Sequence, residues 1–238
     1  MVCTIYLTIA HAIIIPANMI YLIIRAAISF HNQLWTTVIG RTEKLPHIAP
    51  YPRDIMKWTG QDIFGPTFAS MKEEILSTLK SSDPDCDASS QQPLIANDSD
   101  TMDFILTEND YALGERKMGG NAQAIVKGGW LHHTSFLWDY EDQNMEYLVL
   151  PGKRPKYRGD RPHRDFLVKL KSRFGALDER SDDGSDGDAF FRHLKRSTSV
   201  QFHLEESSLK EVMDIIENKF GGIQEWFDGK CRTRIIPL

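Results

Sequence analysis

Alternating apolar positions cluster in the middle of this chain, and helical spacings flank them on both sides. Phe104-Ile105-Leu106-Thr107 runs into Glu108-Asn109-Asp110, Ala122 to Val126 ends at Lys127-Gly128-Gly129, and Trp130 to Trp138 follows. Short β-rich runs separated by such breaks predict a meander of strands. Lys117 and the glycines after it then lie on a turn between strands, with His132 and His133 on the next strand. Neighbours on a strand point to opposite faces, so the two histidines look different ways.

Before the meander, residues 41–80 read as two short helices. Pro52 opens the first, which turns Ile55, Met56 and Trp58 inward and ends at Gly60 or Gly65. Ser70-x-x-Glu73 reads as a capping box for the second, with Phe68, Met71, Ile75 and Leu79 on one stripe. After the meander, Asp139 to Leu150 predicts a helix with Met145 and Leu148 facing in. His163 to Phe174 predicts another, with Phe166, Leu167, Leu170 and Phe174 on one side. A last helix starts at Leu209, capped by Ser208-x-x-Glu211 and stopped by Gly221-Gly222; its buried face is Val212, Ile215, Ile216 and Phe220. Residues 81–100 and 178–188 carry too little apolar surface to offset their ordering entropy and read as surface loops.

The first 40 residues stand apart. Residues 5–24 are almost wholly apolar, broken by His11, Pro16 and Asn18. Two readings stay open: buried strands turned at Pro16-Ala17-Asn18, or a membrane anchor, since about 20 apolar residues span a bilayer. The strand reading comes first, because Val2 to Ile9 is rich in β-branched residues.

A chain of 238 residues can bury one sizeable core. Its net charge of −5 argues against nucleic acid as a partner. Cys3, Cys86 and Cys231 are odd in number and far apart, and no zinc spacing occurs, so a reducing intracellular compartment is expected and no metal site. The Asp-Asp-Gly-Ser-Asp-Gly-Asp run at 182–188 lacks the ligand spacing of a calcium loop. Arg158, Arg161, His163 and Arg164, and the cluster Arg192 to Arg196, read as solvated basic surface.

The chemistry concentrates in Gly114 to Tyr140. Paired glycines beside a lysine let backbone N–H groups approach an anion closely, and a lysine ammonium can follow a phosphate or carboxylate oxygen. Asn109-Asp110, then Lys117-Met118-Gly119-Gly120-Asn121-Ala122, then His132-His133-Thr134-Ser135-Phe136-Leu137 resemble the lipoate–protein ligase branch of the biotin/lipoate ligase family. That branch carries Asn-Asp, Lys-x-x-Gly-x-Ala and His-His-Gly-Thr-Leu-Leu in this order. The likeness is strongest to its divergent plant-type and protist-type members and continues to about Phe174.

The resemblance implies an α+β fold in which a mixed or antiparallel central sheet is packed by helices, the class II synthetase-like catalytic domain of these ligases. The domain would occupy residues 41–222, with 223–238 as a tail. It implies that lipoate, or a related medium-chain acid, is adenylated with ATP and Mg²⁺ and transferred to a lysine of a lipoyl-acceptor protein. Lys117 would bridge phosphate and acyl carbonyl. Gly119, Gly120, Asn121 and Ala122 would wall the adenylate, Asp110 would face the phosphates and His133 would stand at the pocket edge; His132 is left out. A thioester relay of the octanoyltransferase type is disfavoured, because no cysteine lies between Lys117 and Phe174. The family also has an earlier Arg-rich Thr/Ser-Gly-Gly-Gly segment. Here the first forty residues hold one glycine, Gly40, and Arg25 and Arg41 stand alone. Either the chain is part of a longer product, or it is a remnant that binds an acyl ligand or a partner without adenylating.

Overall fold

The computed structural model describes residues 12–14, 33–81, 102–180, 186–222 and 224–225. All three cysteines, most of residues 5–24, the polar stretch 82–101 and most of the tail lie outside them. Strand β1 (Ala12–Ile14) falls inside the apolar N-terminal segment. No helix among the described residues is long and apolar enough to cross a membrane.

Strand β2 (Gln33–Arg41) alternates strictly, with Leu34, Thr36 and Val38 buried and the residues between them half-exposed. Helix α1 (Pro52–Trp58) then continues through a π-helical turn, Thr59–Phe64, directly into α2 (Gly65–Ser81). The two short helices expected from sequence are therefore one bulged helix. Gly60 and Gly65 do not stop it; they let other chain segments approach. A Cβ on Gly60 would stand 2.9 Å from the Tyr111 ring, and one on Gly65 3.0 Å from the Gly60 carbonyl. Ser70 begins nothing either, because it sits mid-helix and hydrogen-bonds His193 Nδ1 at 2.9 Å.

Strands β3 (Phe104–Thr107), β4 (Asp110–Leu113) and β5 (Arg116–Lys117) form one antiparallel sheet in that order. Strands β6 (Gly119–Val126) and β7 (Gly129–Leu137) join β2 in a second, ordered β2-β7-β6 and also antiparallel. Met118 is the junction. It is fully buried, its N–H donates to the Tyr111 carbonyl in one sheet, and its carbonyl accepts from Leu137 N–H in the other. Lys117 and Gly119 thus lie in strands, not on a turn, because the chain crosses between sheets in a single residue.

The expected helix at Asp139 to Leu150 is a 3₁₀ segment, Asp142–Tyr147, that buries Met145 and leaves Leu148 exposed. The expected helix at His163 to Phe174 is two single turns, α3 (His163–Phe166) and α4 (Lys171–Phe174). Between them Val168 N–H donates to the Lys117 carbonyl, and Leu167 makes a single parallel bridge to Lys117 at the edge of β5.

Helix α5 (Asp188–Ser199) has no counterpart in the sequence reading. It buries Ala189, Phe190, His193, Leu194, Ser197 and Thr198 against α2. Asp178, expected in a solvated loop, is buried and caps this helix from outside, accepting from Gly187 N–H at 2.6 Å and Ala189 N–H at 2.8 Å. Arg158 and Arg161 are likewise internal fittings: both guanidinium groups stack on Phe166, and Arg161 donates to the Glu115 and Tyr157 carbonyls.

Strand β8 (Glu205–Ser207) pairs with β1. Helix α6 (Leu209–Phe220) starts with the expected Ser208–Glu211 capping box and ends at Gly221 in the left-handed region, φ 78°. Among the described residues of the face expected to be buried, Ile215 is 44% exposed.

The core lies between the bulged helix, the two sheets and α5. Phe68 packs against Phe104, Phe136, Phe174 and Phe190, each with ring centroids 5.7 Å away. Trp130 and Trp138 are fully buried beside this cluster. The architecture is α+β, antiparallel sheets packed by helices, as the sequence implied.

Candidate active site

The β3–β4 turn is two residues, Glu108 and Asn109, with Glu108 at φ 48°. So tight a reversal sets Asp110 at the head of β4, while Lys117 ends β5 opposite Ala112. The Lys117 ammonium donates to Asp110 Oδ1 at 2.5 Å. Asp110 Oδ2 accepts from the Tyr157 hydroxyl at 2.9 Å, and Tyr157 N–H donates to Glu108 Oε1 at 3.1 Å. Burial first, and then the Asp110 carboxylate beside it, push the Tyr157 phenol far above its ordinary value. Tyr157 therefore stays protonated and serves Asp110 as a fixed donor.

These groups open onto a cleft of about 360 Å³ lined by Glu108, Asn109, Asp110, Lys117, Lys153, Arg154 and Pro155. Three cations and two carboxylates share its wall; Lys117 is paired with Asp110, and Arg154 with Asp160 just outside the lining. Charges held in fixed positions act on a ligand without having to reorganise as it binds. Asn121 reaches the same place from β6, its amide donating to the Asn109 carbonyl at 3.1 Å.

The other expected site residues lie elsewhere. Gly119 is a contact glycine, since a Cβ there would stand 2.3 Å from the Ser135 carbonyl oxygen. Gly120 has nothing within 4 Å of the equivalent position. By the strand alternation Gly120, Ala122 and His133 share the sheet face opposite Asn121. There His133 Nδ1 pairs with Thr37 Oγ1 at 2.9 Å, its ring meets Trp35 edge-on at 4.9 Å, and burial lowers its pKa. The structure thus brings Asp110, Lys117 and Asn121 together and separates them from His133.

Lys153, Arg154 and Tyr157 escaped the sequence reading. Pro151-Gly152 and Pro155 bracket the two cations, a stiff loop presenting charge, and that signal was available. The Tyr157 contact had no local signal, because it is made 47 residues away from Asp110. Among the described residues no group of three or more His, Cys, Asp or Glu could hold a metal ion. A magnesium ion arriving with a nucleotide needs only one or two protein carboxylates besides phosphate oxygens. Asp110 and Glu108 line the cleft, but Asp110 already accepts from Lys117 and the Tyr157 hydroxyl, and Glu108 from the Tyr157 N–H.

Residues 57–180, more than half the chain and including the whole cleft, match the lipoyl protein ligase A/B catalytic domain. The chain belongs to that family. One curated relative, the "Inactive lipoate–protein ligase 2" of Plasmodium falciparum, is 38% identical over 80 residues, covering 29% of this chain and 21% of that protein. The chain thus spans about a fifth of that relative's length. Among solved structures it is similar to an archaeal bipartite lipoate protein ligase with its E2 lipoyl domain, from Thermoplasma acidophilum: 19% identity, 86% of this chain and 67% of that one, TM-score 0.37. A lipoate-protein ligase A bound with ATP gives 22% identity, 85% and 63% coverage, and TM-score 0.33. Within the ligase domain, the Asn109-Asp110, Lys117 to Ala122 and His132 to Leu137 segments that carried the resemblance all fall inside the matched residues.

Proposed function

We propose that this ligase-type domain holds a lipoyl-type acyl-adenylate in the Asp110–Lys117 cleft and delivers the acyl group to a lysine of a lipoyl-acceptor protein. The observation that carries the reading is the Lys117 ammonium fixed by Asp110, itself fixed by Tyr157, at the wall of a cation-lined cleft. When lipoate is activated, a carboxylate oxygen bonds to the α-phosphorus of ATP and pyrophosphate leaves. In the transfer, the acceptor amine bonds to the acyl carbon, the carbon–oxygen bond to phosphate breaks, AMP leaves with the electron pair and the amine loses a proton. Negative charge gathers on carbonyl and phosphate oxygens in both steps. A positioned ammonium stabilises it without reorganising at the moment of reaction. Lys153 adds charge at the same wall, while Arg154 is paired with Asp160, and any magnesium would come with the nucleotide to Asp110 and Glu108.

A second reading is binding without turnover. The name of the Plasmodium relative favours it, as does the carboxylate already occupying Lys117. Calorimetry with a non-hydrolysable lipoyl-adenylate analogue tests the binding that both readings share. Lys117→Met keeps the stem and removes the charge, and should weaken binding about 10- to 100-fold, the worth of a charge-assisted hydrogen bond. Equal affinity in wild type and variant, or no binding by the wild type, would refute the site. ATP–pyrophosphate exchange in the presence of lipoate then separates turnover from binding alone.

A further inference from the structure

The histidine with a line to the cleft is His132, the one that sequence reasoning set aside. Its ring is fully buried on the core face of β7. Tyr111 of β4 spends its single hydroxyl proton on the Met56 carbonyl of α1, at 2.9 Å. Toward His132 Nε2, also 2.9 Å away, the phenol oxygen can therefore only accept, so Nε2 carries the proton. Thr134 Oγ1 lies 3.1 Å from the same nitrogen. Gln123 Nε2 can only donate, so His132 Nδ1, 2.8 Å away, accepts. Both sides of the ring thus require one neutral tautomer. Burial, and secondarily the neighbouring His133, push the ring down to about 4, which keeps it neutral near pH 7.

The chain of bonds goes on outward. The same Gln123 amide donates to Asn121 Oδ1 at 3.0 Å, and the Asn121 amide donates to the Asn109 carbonyl at 3.1 Å. Asn109 is the turn residue next to Asp110. Helix α1, strand β4, strands β7 and β6 and the turn of the cleft are therefore joined through one imidazole. Each member is polarised by the next, which strengthens a satisfied buried network.

We infer that His132 is a positioning residue for the cleft: through Gln123 and Asn121 it holds the Glu108–Asn109 turn, and with it the Asp110 carboxylate that aims Lys117. The inference rests on the proposed reading for its ligand, but not for its geometry. The only donor–acceptor pattern that serves is one nitrogen accepting from Gln123 and one donating to Tyr111, so a side-chain amide can stand in. His132→Gln keeps that pattern; His132→Leu keeps bulk alone. Asn121→Ala cuts the line further out, at a half-buried position that leaves the core untouched.

Two measurements test it. In calorimetry with the lipoyl-adenylate analogue, His132→Leu and Asn121→Ala should each weaken binding about tenfold, with His132→Gln within about threefold of wild type. Combined with Lys117→Met, the His132→Leu loss should largely vanish, since the network acts by aiming that ammonium. Wild-type affinity in His132→Leu, or a loss that simply adds to that of Lys117→Met, overturns the inference. The second measurement needs no ligand: the rate at which an N-hydroxysuccinimide acetate labels Lys117, mapped by mass spectrometry relative to Lys72. His132→Leu and Asn121→Ala should raise that ratio several-fold and His132→Gln should not. An unchanged ratio overturns the inference even if the analogue fails to bind, in which case the functional reading fails on its own.

Discussion

Gly119 and Gly120 are adjacent, both glycine, and both were expected to wall a ligand, yet the fold treats them oppositely. Consider each replaced by alanine. At Gly119 the new methyl carbon would stand 2.3 Å from the Ser135 carbonyl oxygen and 3.1 Å from Phe136 Cα. Real Cβ contacts respect 3.0 Å, so the deficit is 0.7 Å, and both offending atoms are backbone. No rotamer change relieves it; β6 and β7 must part where Gly119 pairs with Phe136, a fully buried ring. Overpacking of this kind costs roughly 1–3 kcal/mol, and the rigid obstacle puts Gly119→Ala at about 3. At about 2–4 °C per kcal/mol for a chain of this size, the melting midpoint should fall by about 6–12 °C. At Gly120 nothing lies within 4 Å, so Gly120→Ala should change stability by less than about 0.5 kcal/mol. Differential scanning calorimetry of the two variants beside wild type is the assay. Equal midpoints for both variants would refute the geometry. A Gly120→Ala protein that is stable but binds the adenylate analogue poorly would place ligand on the sheet face shared with Ala122 and His133.

Removing the outside cap, Asp178→Ala, strands the Gly187 and Ala189 N–H groups in the interior and should cost about 2–3 kcal/mol, read as a shifted urea midpoint; a change under about 0.5 kcal/mol would show the cap idle. The depressed pKa of His132 links stability to pH. The folded ring takes a proton only near 4, whereas the unfolded ring does so near 6.5, so between these values the unfolded chain holds more protons. Stability should fall as pH drops through that window, by up to about 3 kcal/mol from this ring, and stay flat in its contribution above 6.5. Urea titrations of wild type and His132→Gln at pH 7 and pH 4.5 isolate the ring as a difference of differences; parallel losses in both proteins would refute it.

Local pattern alone determined a good deal of this protein. The strand Phe104–Thr107 follows from a β-rich run, the strand read at Trp130 to Trp138 and found at Gly129–Leu137 from period-two alternation, and the α6 capping box and Gly221 stop from orphan groups at a helix end, which neighbours in sequence satisfy. The order Asn109-Asp110, Lys117 to Ala122 and His132-His133 was enough to point to the ligase family, because motif spacing is itself a sequence property. Tertiary structure decided the rest. Gly60 became a contact instead of a helix stop because Tyr111, 51 positions further along the chain, packs against it. Asp178 became a cap because Gly187 and Ala189 fold back onto it. Alternation said that His132 and His133 face opposite ways, but not which face meets the cleft. That was settled at Met118, where one buried residue hands the chain from sheet to sheet and sets β4 with its Asn109 turn over the Asn121–Gln123–His132 side. A period of two fixes relative facing; only the packing of one sheet on the other assigns a face to the core.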